Sequence, residues 1–509
     1  MPLSPSQFPV LVVGAGIMGT GIAQVAAQAG HPVRLFDMRE GAASEARVRL
    51  AATLEGLAAR GKMTPEAAEA TMERIRPIGS LAEAADARLV VEAIVERIDA
   101  KRELFRQIED IVAADAVLAS NTSSISITAM ANGLKRPGRL VGMHFFNPVP
   151  LMRLVEVVSG LATDAAVAEA VFRLSQAWGK VPVHARSTPG FIVNRIARPY
   201  YAETLALLQE RAAEPHVLDA CLRGAGFRMG PCELMDLIGH DTNFAVTASV
   251  YEANFQDKRY VPSLVQREMV DGGLLGRKSG RGFYTYPAGP PALPALPAER
   301  PLTARRVVVH GLGGVADMLE QALRPALASL GLAPLRQRDS GWTGLEIDGG
   351  RLMLTEGAAA YEIAAATGVA DLAVFDRPPL PPAADGRALA YAVHSGAGSA
   401  WREQAPEWLR RLGFLPLPVA DTPGLVVART LAMLINEAAD AVLQGVCTPD
   451  AADAAMKLGV NYPAGPFEWL RGWSVVGVAA VIDALDAAYR GERYRLSPWL
   501  RRGGDGPTL

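Results

Sequence analysis

The first marked pattern in the chain is an unbroken apolar run, Val10-Leu11-Val12-Val13. It stops at Gly14-Ala15-Gly16-Ile17-Met18-Gly19 and passes into a helix-like stretch from Thr20 to Ala26. A second short run, Val33-Arg34-Leu35-Phe36, ends on Asp37. Leu89-Val90-Val91, Ala116-Val117-Leu118-Ala119 and Leu140-Val141-Gly142-Met143 follow, alternating with helical stretches such as Ile98 to Ile111. Strands alternating with helices predict a parallel, doubly wound α/β sheet. Ligands bind such a sheet at the carboxyl ends of its strands, so the residues just after each run carry the expected chemistry.

At the first strand end, glycines let the backbone come close to a ligand, and the amides opening the next helix hold a pyrophosphate. Asp37 stands where a carboxylate accepts the ribose hydroxyls, which favours NAD over NADP. Arg39, close by, is of the type that accommodates a 2′-phosphate instead. A glycine turn also serves tight strand-to-helix packing, but strand, helix and acid in register favour the nucleotide. The reading is a Rossmann NAD-binding domain with Gly14, Gly16, Gly19 and Asp37 at the cofactor.

The other strand ends present Glu92 and Glu96, Ser120-Asn121-Thr122-Ser123-Ser124, and His144-Phe145-Phe146-Asn147-Pro148. His144 is one of only seven histidines, and an imidazole at a strand end can exchange a proton near neutral pH. Glu156 lies in the apolar run Leu154-Val155-Glu156-Val157-Val158, where an unpaired carboxylate is costly to bury and needs a partner. Bonded to one ring nitrogen, it would orient His144 and favour the charged imidazole. A satisfied core histidine and a separate surface glutamate is the other reading, and spacing alone leaves both open.

A proline-rich stretch, 287–301, has no apolar periodicity and reads as a linker. Beyond it, Arg306-Val307-Val308-Val309-His310-Gly311-Leu312-Gly313-Gly314 again enters a glycine turn, but Leu335-Arg336-Gln337-Arg338-Asp339 stands where a ribose-binding acid is expected. No counterpart of the 120–124 or 144–148 strings follows, so 302–420 reads as a degenerate Rossmann-like domain that does not bind NAD. The end of the chain is an internal repeat. Thr188-Pro189-Gly190 recurs as Thr422-Pro423-Gly424, Glu203 as Glu437 and Tyr260 as Tyr494, each 234 residues later. In that register Ala428 replaces Asn194.

Composition narrows the picture. Lys and Arg number 51 against 53 Asp and Glu in 509 residues, so the overall field attracts neither nucleic acid nor an anionic membrane. Three cysteines, Cys221, Cys232 and Cys447, fit neither a disulfide framework nor a metal motif. No run reaches transmembrane length and the first residues lack a signal-peptide pattern, so a cytoplasmic protein without a metal is expected.

Long strings then carry a resemblance: SNTSSISIT at 120–128, GMHFFNPVPLMRLVEVV at 142–158 and TPGFIVNRI at 188–196. With these the chain resembles the 3-hydroxyacyl-CoA dehydrogenase family, from the glycine turn to about residue 287. GPCELMDLIGHDTNF and LLGRKSGRGFYTY look like the family's helical second domain. The resemblance implies domains at 1–187 (NAD-binding Rossmann), 188–286 (all-α), 302–420 (degenerate Rossmann-like) and 421–502 (a second all-α copy). It implies catalytic roles for His144, Glu156, Ser123 and Asn194, the last two touching substrate oxygens. Glu96, Lys101 and Asn147 fall near the cofactor, and Lys62 near the coenzyme A phosphates.

The implied reaction is NAD-dependent oxidation of a (3S)-3-hydroxyacyl-CoA to the 3-oxoacyl-CoA. The reduced middle domain resembles the long form of phenylacetate catabolism, which implies 3-hydroxyadipyl-CoA, with 3-hydroxybutyryl-CoA as the alternative. No hydratase domain is expected before the first strand, since Phe8 already leads into it. A homodimer is implied, although the paired helical copies can equally pack within one chain. Two rival functions are a dehydrogenase of the short β-hydroxyacid type, with a lysine-based site, and an NAD-binding protein without turnover. The joint presence of Ser123, His144, Glu156 and Asn194 argues against both.

Overall fold

The computed structural model describes residues 7–293, 295, 298, 300–379 and 386–503. Of the proline-rich stretch, Pro294 and Pro297 lie outside the described residues. The chain forms two compact units: one runs to Arg195 and includes Gln444–Val460, and the other comprises Ile196–Leu443 and the chain from Asn461 onward.

The first unit is built on one sheet of eight strands: β1 (Val10–Val13), β2 (Val33–Phe36), β3 (Ile75–Pro77), β4 (Leu89–Glu92), β5 (Val117–Ser120), β6 (Leu140–Phe145), β7 (Leu154–Ser159) and β8 (Val181–Arg186). Their order is β3-β2-β1-β4-β5-β6-β7-β8. The chain steps outward from β1 to both sides, which opens a crevice at the carboxyl end of β1. Strands β1, β4, β5 and β6 are buried along their whole length, as their uninterrupted apolar runs require. Val12, Leu35, Val91, Val141 and Phe145 are among the residues of the core beneath helix Ile17–Gln28.

One pair departs from the parallel pattern, because β7 runs antiparallel to β6. The connection from Phe146 to Arg153 carries no crossover helix, so the chain turns straight back. That return sets His144 directly across from Glu156. The helix Pro449–Gly459, from the far end of the chain, belongs to this unit and packs on β7 and β8.

The second unit holds a sheet of seven strands: β9 (Val307–His310), β10 (Leu335–Gln337), β11 (Gly344–Ile347), β12 (Gly350–Leu354), β13 (Leu372–Phe375), β14 (Arg387–Val393) and β15 (Phe414–Pro418), in the order β10-β9-β11-β12-β13-β14-β15. Its last three strands repeat the pattern of β6 to β8, antiparallel and then parallel. Among the described residues no single helix is long and apolar enough to cross a membrane.

The two helical copies pack against each other within this unit, by a reciprocal exchange. Tyr260 donates to Glu437 at 2.6 Å with Arg259 at 3.3 Å from the same carboxylate. Their repeat mates Tyr494 and Arg493 hold Glu203 at 3.0 and 2.8 Å. Arg429 adds a second guanidinium on Glu203 at 2.7 Å and also pairs with Glu210. Burial alone would raise the Glu203 carboxyl, but Arg493 and Arg429 beside it more than offset that and hold it below its ordinary value.

Replacing Arg429 with methionine leaves the buried Glu203 short of a partner, and removal of one partner from a buried ion pair costs about 3–5 kcal/mol. The expected outcome is a clearly lowered melting temperature for this unit. The contribution of Glu203 is present above the ordinary glutamate range and is lost as pH falls through its lowered folded value. The gap between wild type and Arg429→Met should therefore narrow in acid, and calorimetry across pH checks both points.

Candidate active site

At the end of β1 the backbone geometry explains the glycines. Gly14 has φ +107°, and a Cβ there would lie 2.4 Å from the Ala93 carbonyl oxygen. A Cβ on Gly19 would meet the Gly14 carbonyl oxygen at 1.8 Å, so helix Ile17–Gln28 closes on the turn only with glycine. Gly16 faces open space, and no side chain caps the helix that follows it. Its first amides are therefore available to a phosphate. Asp37 accepts from the Ala15 amide at 2.8 Å and the Arg39 amide at 2.9 Å, which fixes the carboxylate beside the turn with lone pairs to spare for a ribose diol. The Arg39 guanidinium is forked onto Glu45 at 3.1 and 2.7 Å. These residues fit the dinucleotide that the fold implies.

Behind the crevice lies a buried acid–lysine cluster. Glu92, at the end of β4, accepts from Lys101 Nζ at 2.5 Å, Ser120 Oγ at 2.6 Å and the Ile94 amide at 2.7 Å. Lys101 also reaches Glu96 at 3.2 Å. Glu96 takes the Thr122 hydroxyl at 2.6 Å and the amides of Ser123 and Ser124 at 3.0 and 3.1 Å. Burial works to raise the Glu96 carboxyl, but Lys101, Thr122 and the Ser123 amide outweigh it and hold it low. The effect is to tie the 120–124 loop to helix Ile98–Glu109. Glu92 is the unassigned member of this set; its one sequence signal is an acid closing an otherwise apolar strand.

His144 Nδ1 and Glu156 Oε2 are 2.5 Å apart. The other oxygen of Glu156 accepts from the amides of Ile192 and Val193 at 2.9 and 3.0 Å. Glu156 is 0% exposed, and three donors are what permit a carboxylate in so apolar a strand. Phe146 lies 4.5 Å and Phe191 5.9 Å from the imidazole, ring centre to ring centre, and the Asn121 side chain accepts from the Phe145 amide at 2.9 Å. Sequence reasoning gave none of these three a role. With Nδ1 engaged, Nε2 is the nitrogen left to serve a substrate.

A cavity of about 350 Å³ brings together Ser123, His144, Asn194, Asn147, Glu96 and Lys101, with Met18 on its wall. Asn194 Nδ2 is 3.5 Å from the Ser123 carbonyl oxygen. Lys62 is not on that wall; it is exposed, in the turn between helices Ala42–Ala59 and Pro65–Arg74. A base with an orienting carboxylate, beside a hydroxyl and an amide at the mouth of a nucleotide crevice, is suited to oxidising an alcohol. Among the described residues no cluster of His, Cys, Asp and Glu could hold a metal.

In the second unit the Asp376 amide pairs with the Ala390 carbonyl, one step beyond the Phe375–Tyr391 pair. The Asp376 carboxylate itself accepts from the Val426, Val427 and Ala428 amides at 2.9, 2.6 and 2.9 Å. Strand β11 runs antiparallel to β9, Trp342 stacks on His310 at 4.1 Å, and Arg336 donates to the Gly311 carbonyl at 3.1 and 2.9 Å. A cavity of about 440 Å³ elsewhere in this unit contains Arg377 and Arg387, which donate to the carbonyls of Gly472 and Gly224 near helix ends.

Comparison with known proteins agrees with this geometry. Residues 9–188 match the 3-hydroxyacyl-CoA dehydrogenase, NAD binding domain. Residues 190–286 and 424–507 both match the C-terminal domain of the same family. Residues 352–423 match the 3-hydroxybutyryl-CoA dehydrogenase reduced Rossmann-fold domain. The chain is 42% identical over 496 residues to the 3-hydroxyadipyl-CoA dehydrogenase of Escherichia coli K12, covering 97% of this chain and 96% of that one. The crystal structure of 3-hydroxybutyryl-CoA dehydrogenase from Escherichia coli K12 superposes with a TM-score of 0.88 at 41% identity, over 98% of each chain. The mitochondrial hydroxyacyl-coenzyme A dehydrogenase of Sus scrofa is 39% identical over 286 residues, 54% of this chain and 90% of its own length. The chain belongs to the 3-hydroxyacyl-CoA dehydrogenase family and is an NAD-dependent oxidoreductase.

Proposed function

We propose that the physiological substrate is 3-hydroxyadipyl-CoA, oxidised at its (3S)-hydroxyl to the 3-oxo thioester in phenylacetate catabolism in the cytoplasm. The support is the match to a 3-hydroxyadipyl-CoA dehydrogenase over nearly the whole length, reduced Rossmann-like domain included. 3-Hydroxybutyryl-CoA is the second reading, favoured by the similar crystal structure named for it.

The observation that carries the chemistry is the His144–Glu156 contact at the wall of the cavity shared with Ser123 and Asn194. Ser123 and Asn194 hold the substrate oxygens. NAD, bound in the crevice, supplies the acceptor for the hydride leaving C3. His144 Nε2 takes the hydroxyl proton, and Glu156 balances the imidazolium charge. Lys62, which is exposed, is the residue we assign to the coenzyme A phosphates. The reciprocal pairing of the helical copies fills one face within the chain, so the homodimer that the family resemblance implies would have to use another.

An assay of NADH formation over a panel of hydroxyacyl-CoA thioesters tests the substrate. The highest kcat/KM is expected with 3-hydroxyadipyl-CoA, and a clear preference for 3-hydroxybutyryl-CoA would reverse the assignment. His144→Gln should lower kcat by about a hundred- to ten-thousand-fold. It should still bind one NADH per chain by fluorescence titration, since Leu335-Arg336-Gln337 stands in the second unit where a ribose-binding acid is expected. Turnover within about threefold of wild type, set against that general-acid–base range, would remove His144 from the mechanism. Asp37→Ala should weaken NAD and narrow the preference over NADP, because the carboxylate both accepts the ribose diol and repels a 2′-phosphate. An unchanged ratio of the two KM values would make Asp37 purely a brace for the turn.

A further inference from the structure

The first unit contains a piece of the second helical copy, Gln444–Val460, inside the fold that carries the catalytic pair. Three contacts bind this segment to elements that hold the pair. The Arg186 amide, at the end of β8, donates to the Val446 carbonyl at 2.9 Å. The guanidinium of buried Arg195, next in chain to Asn194, donates to Gln444 Oε1 at 2.8 Å. The helix Pro449–Gly459, started by Thr448 capping the Ala451 amide at 3.2 Å, then runs along β7 and β8 and ends in close contact at Gly459.

A Cβ on Gly459 would lie 2.7 Å from Leu154 Cδ2, 3.0 Å from Val193 Cγ2 and 3.6 Å from Phe146 Cε1. Each of those residues adjoins the pair. Leu154 opens the strand that carries Glu156, Val193 donates its amide to Glu156, and the Phe146 ring rests on His144. The backbone of Gly459 is not left-handed, so space rather than conformation calls for glycine here. The neighbouring Cys447 is close enough to feel the Glu156 carboxylate: burial first, and that charge second, push its thiol up to about 12.

We propose that the 444–460 segment is the back wall of the catalytic site and that Gln444 and Gly459 are positioning residues. They act through Arg195 and through Leu154, Val193 and Phe146, and touch no substrate themselves. The second copy has lost its own chemistry, but it sets the spacing of the His144–Glu156 pair and the orientation of the Asn194 turn in the first.

The test uses the full chain and rests on His144 and Glu156 being the catalytic pair, so His144→Gln is run alongside; turnover persisting there refutes the pair and not the wall. Gly459→Val should lower kcat by about tenfold or more, since a shift of about 1 Å in reacting groups costs up to about a hundredfold. NADH affinity should stay within about twofold, because the crevice at β1 is untouched. The pH profile of kcat should move, as the histidine loses its tight carboxylate contact. Gly472→Ala, at a glycine with nothing within 4 Å, is the control expected to behave as wild type. Gln444→Leu should lower kcat or raise KM with the melting temperature little changed, and Gln444→Glu, which keeps the acceptor for Arg195, should restore both. Should Gly459→Val not fold, the Gln444 pair of variants decides alone. Wild-type kcat and pH profile in Gly459→Val and Gln444→Leu overturn the proposal. So does a loss of activity that tracks NADH affinity and melting temperature in step.

Discussion

The buried carboxylate of Glu156 is the constraint around which the first unit is arranged. An uncompensated charge in an all-apolar strand would cost several kcal/mol, so the fold must deliver donors to both oxygens. One oxygen receives the His144 ring, which requires β7 to come back antiparallel in one register. The other receives the amides of Ile192 and Val193, which fixes the start of the short helix bearing Asn194. A single desolvated charge thus locks together the base, its orientation and the amide side chain that faces the same cavity. The price is that anything loosening the strand or the helix start exposes an unpaired ion.

The second unit shows what happens when that constraint is met differently. Asp376, just past the end of β13, turns its carboxylate to the start of helix Val427–Leu443, gathering the amides of Val426, Val427 and Ala428. Burial pushes its carboxyl up to about 6 despite those donors. A buried carboxylate thus anchors the helix start in both copies, since Val426 and Val427 stand in the repeat register of Ile192 and Val193.

Much of the first unit was legible from short-range pattern. The glycine turn with Asp37 reads off spacing because its geometry is local, and Glu156 announces itself as an acid among valines. The pairing with His144 was not legible from spacing, since it depends on β7 returning antiparallel after a connection that carries no marker of direction. The Glu92–Lys101–Glu96 cluster was half visible: the resemblance pointed to the lysine and one acid, while Glu92, whose work is to hold that lysine, carried no motif. Arg336 stood in a string already lacking the ribose acid, whereas Trp342, stacked on His310, gave no local signal, because that contact depends on which strand lies alongside β9. Gln444 and Gly459 were beyond reach for a related reason. A glutamine and a glycine in a helical repeat reveal nothing until the helix is seen lying on a strand from the other end of the chain.

The reciprocal grip of Tyr260 and Arg259 on Glu437, and of Tyr494 and Arg493 on Glu203, has the form of a two-fold contact between identical subunits. In a true homodimer every substitution is imposed on both sides of the axis at once, and the contact weakens on dilution. Written into one polypeptide, the same contact is held together at any concentration, and each side is free to drift without the other. That freedom is what allows Ala428 to stand in one copy where Asn194 stands in the other.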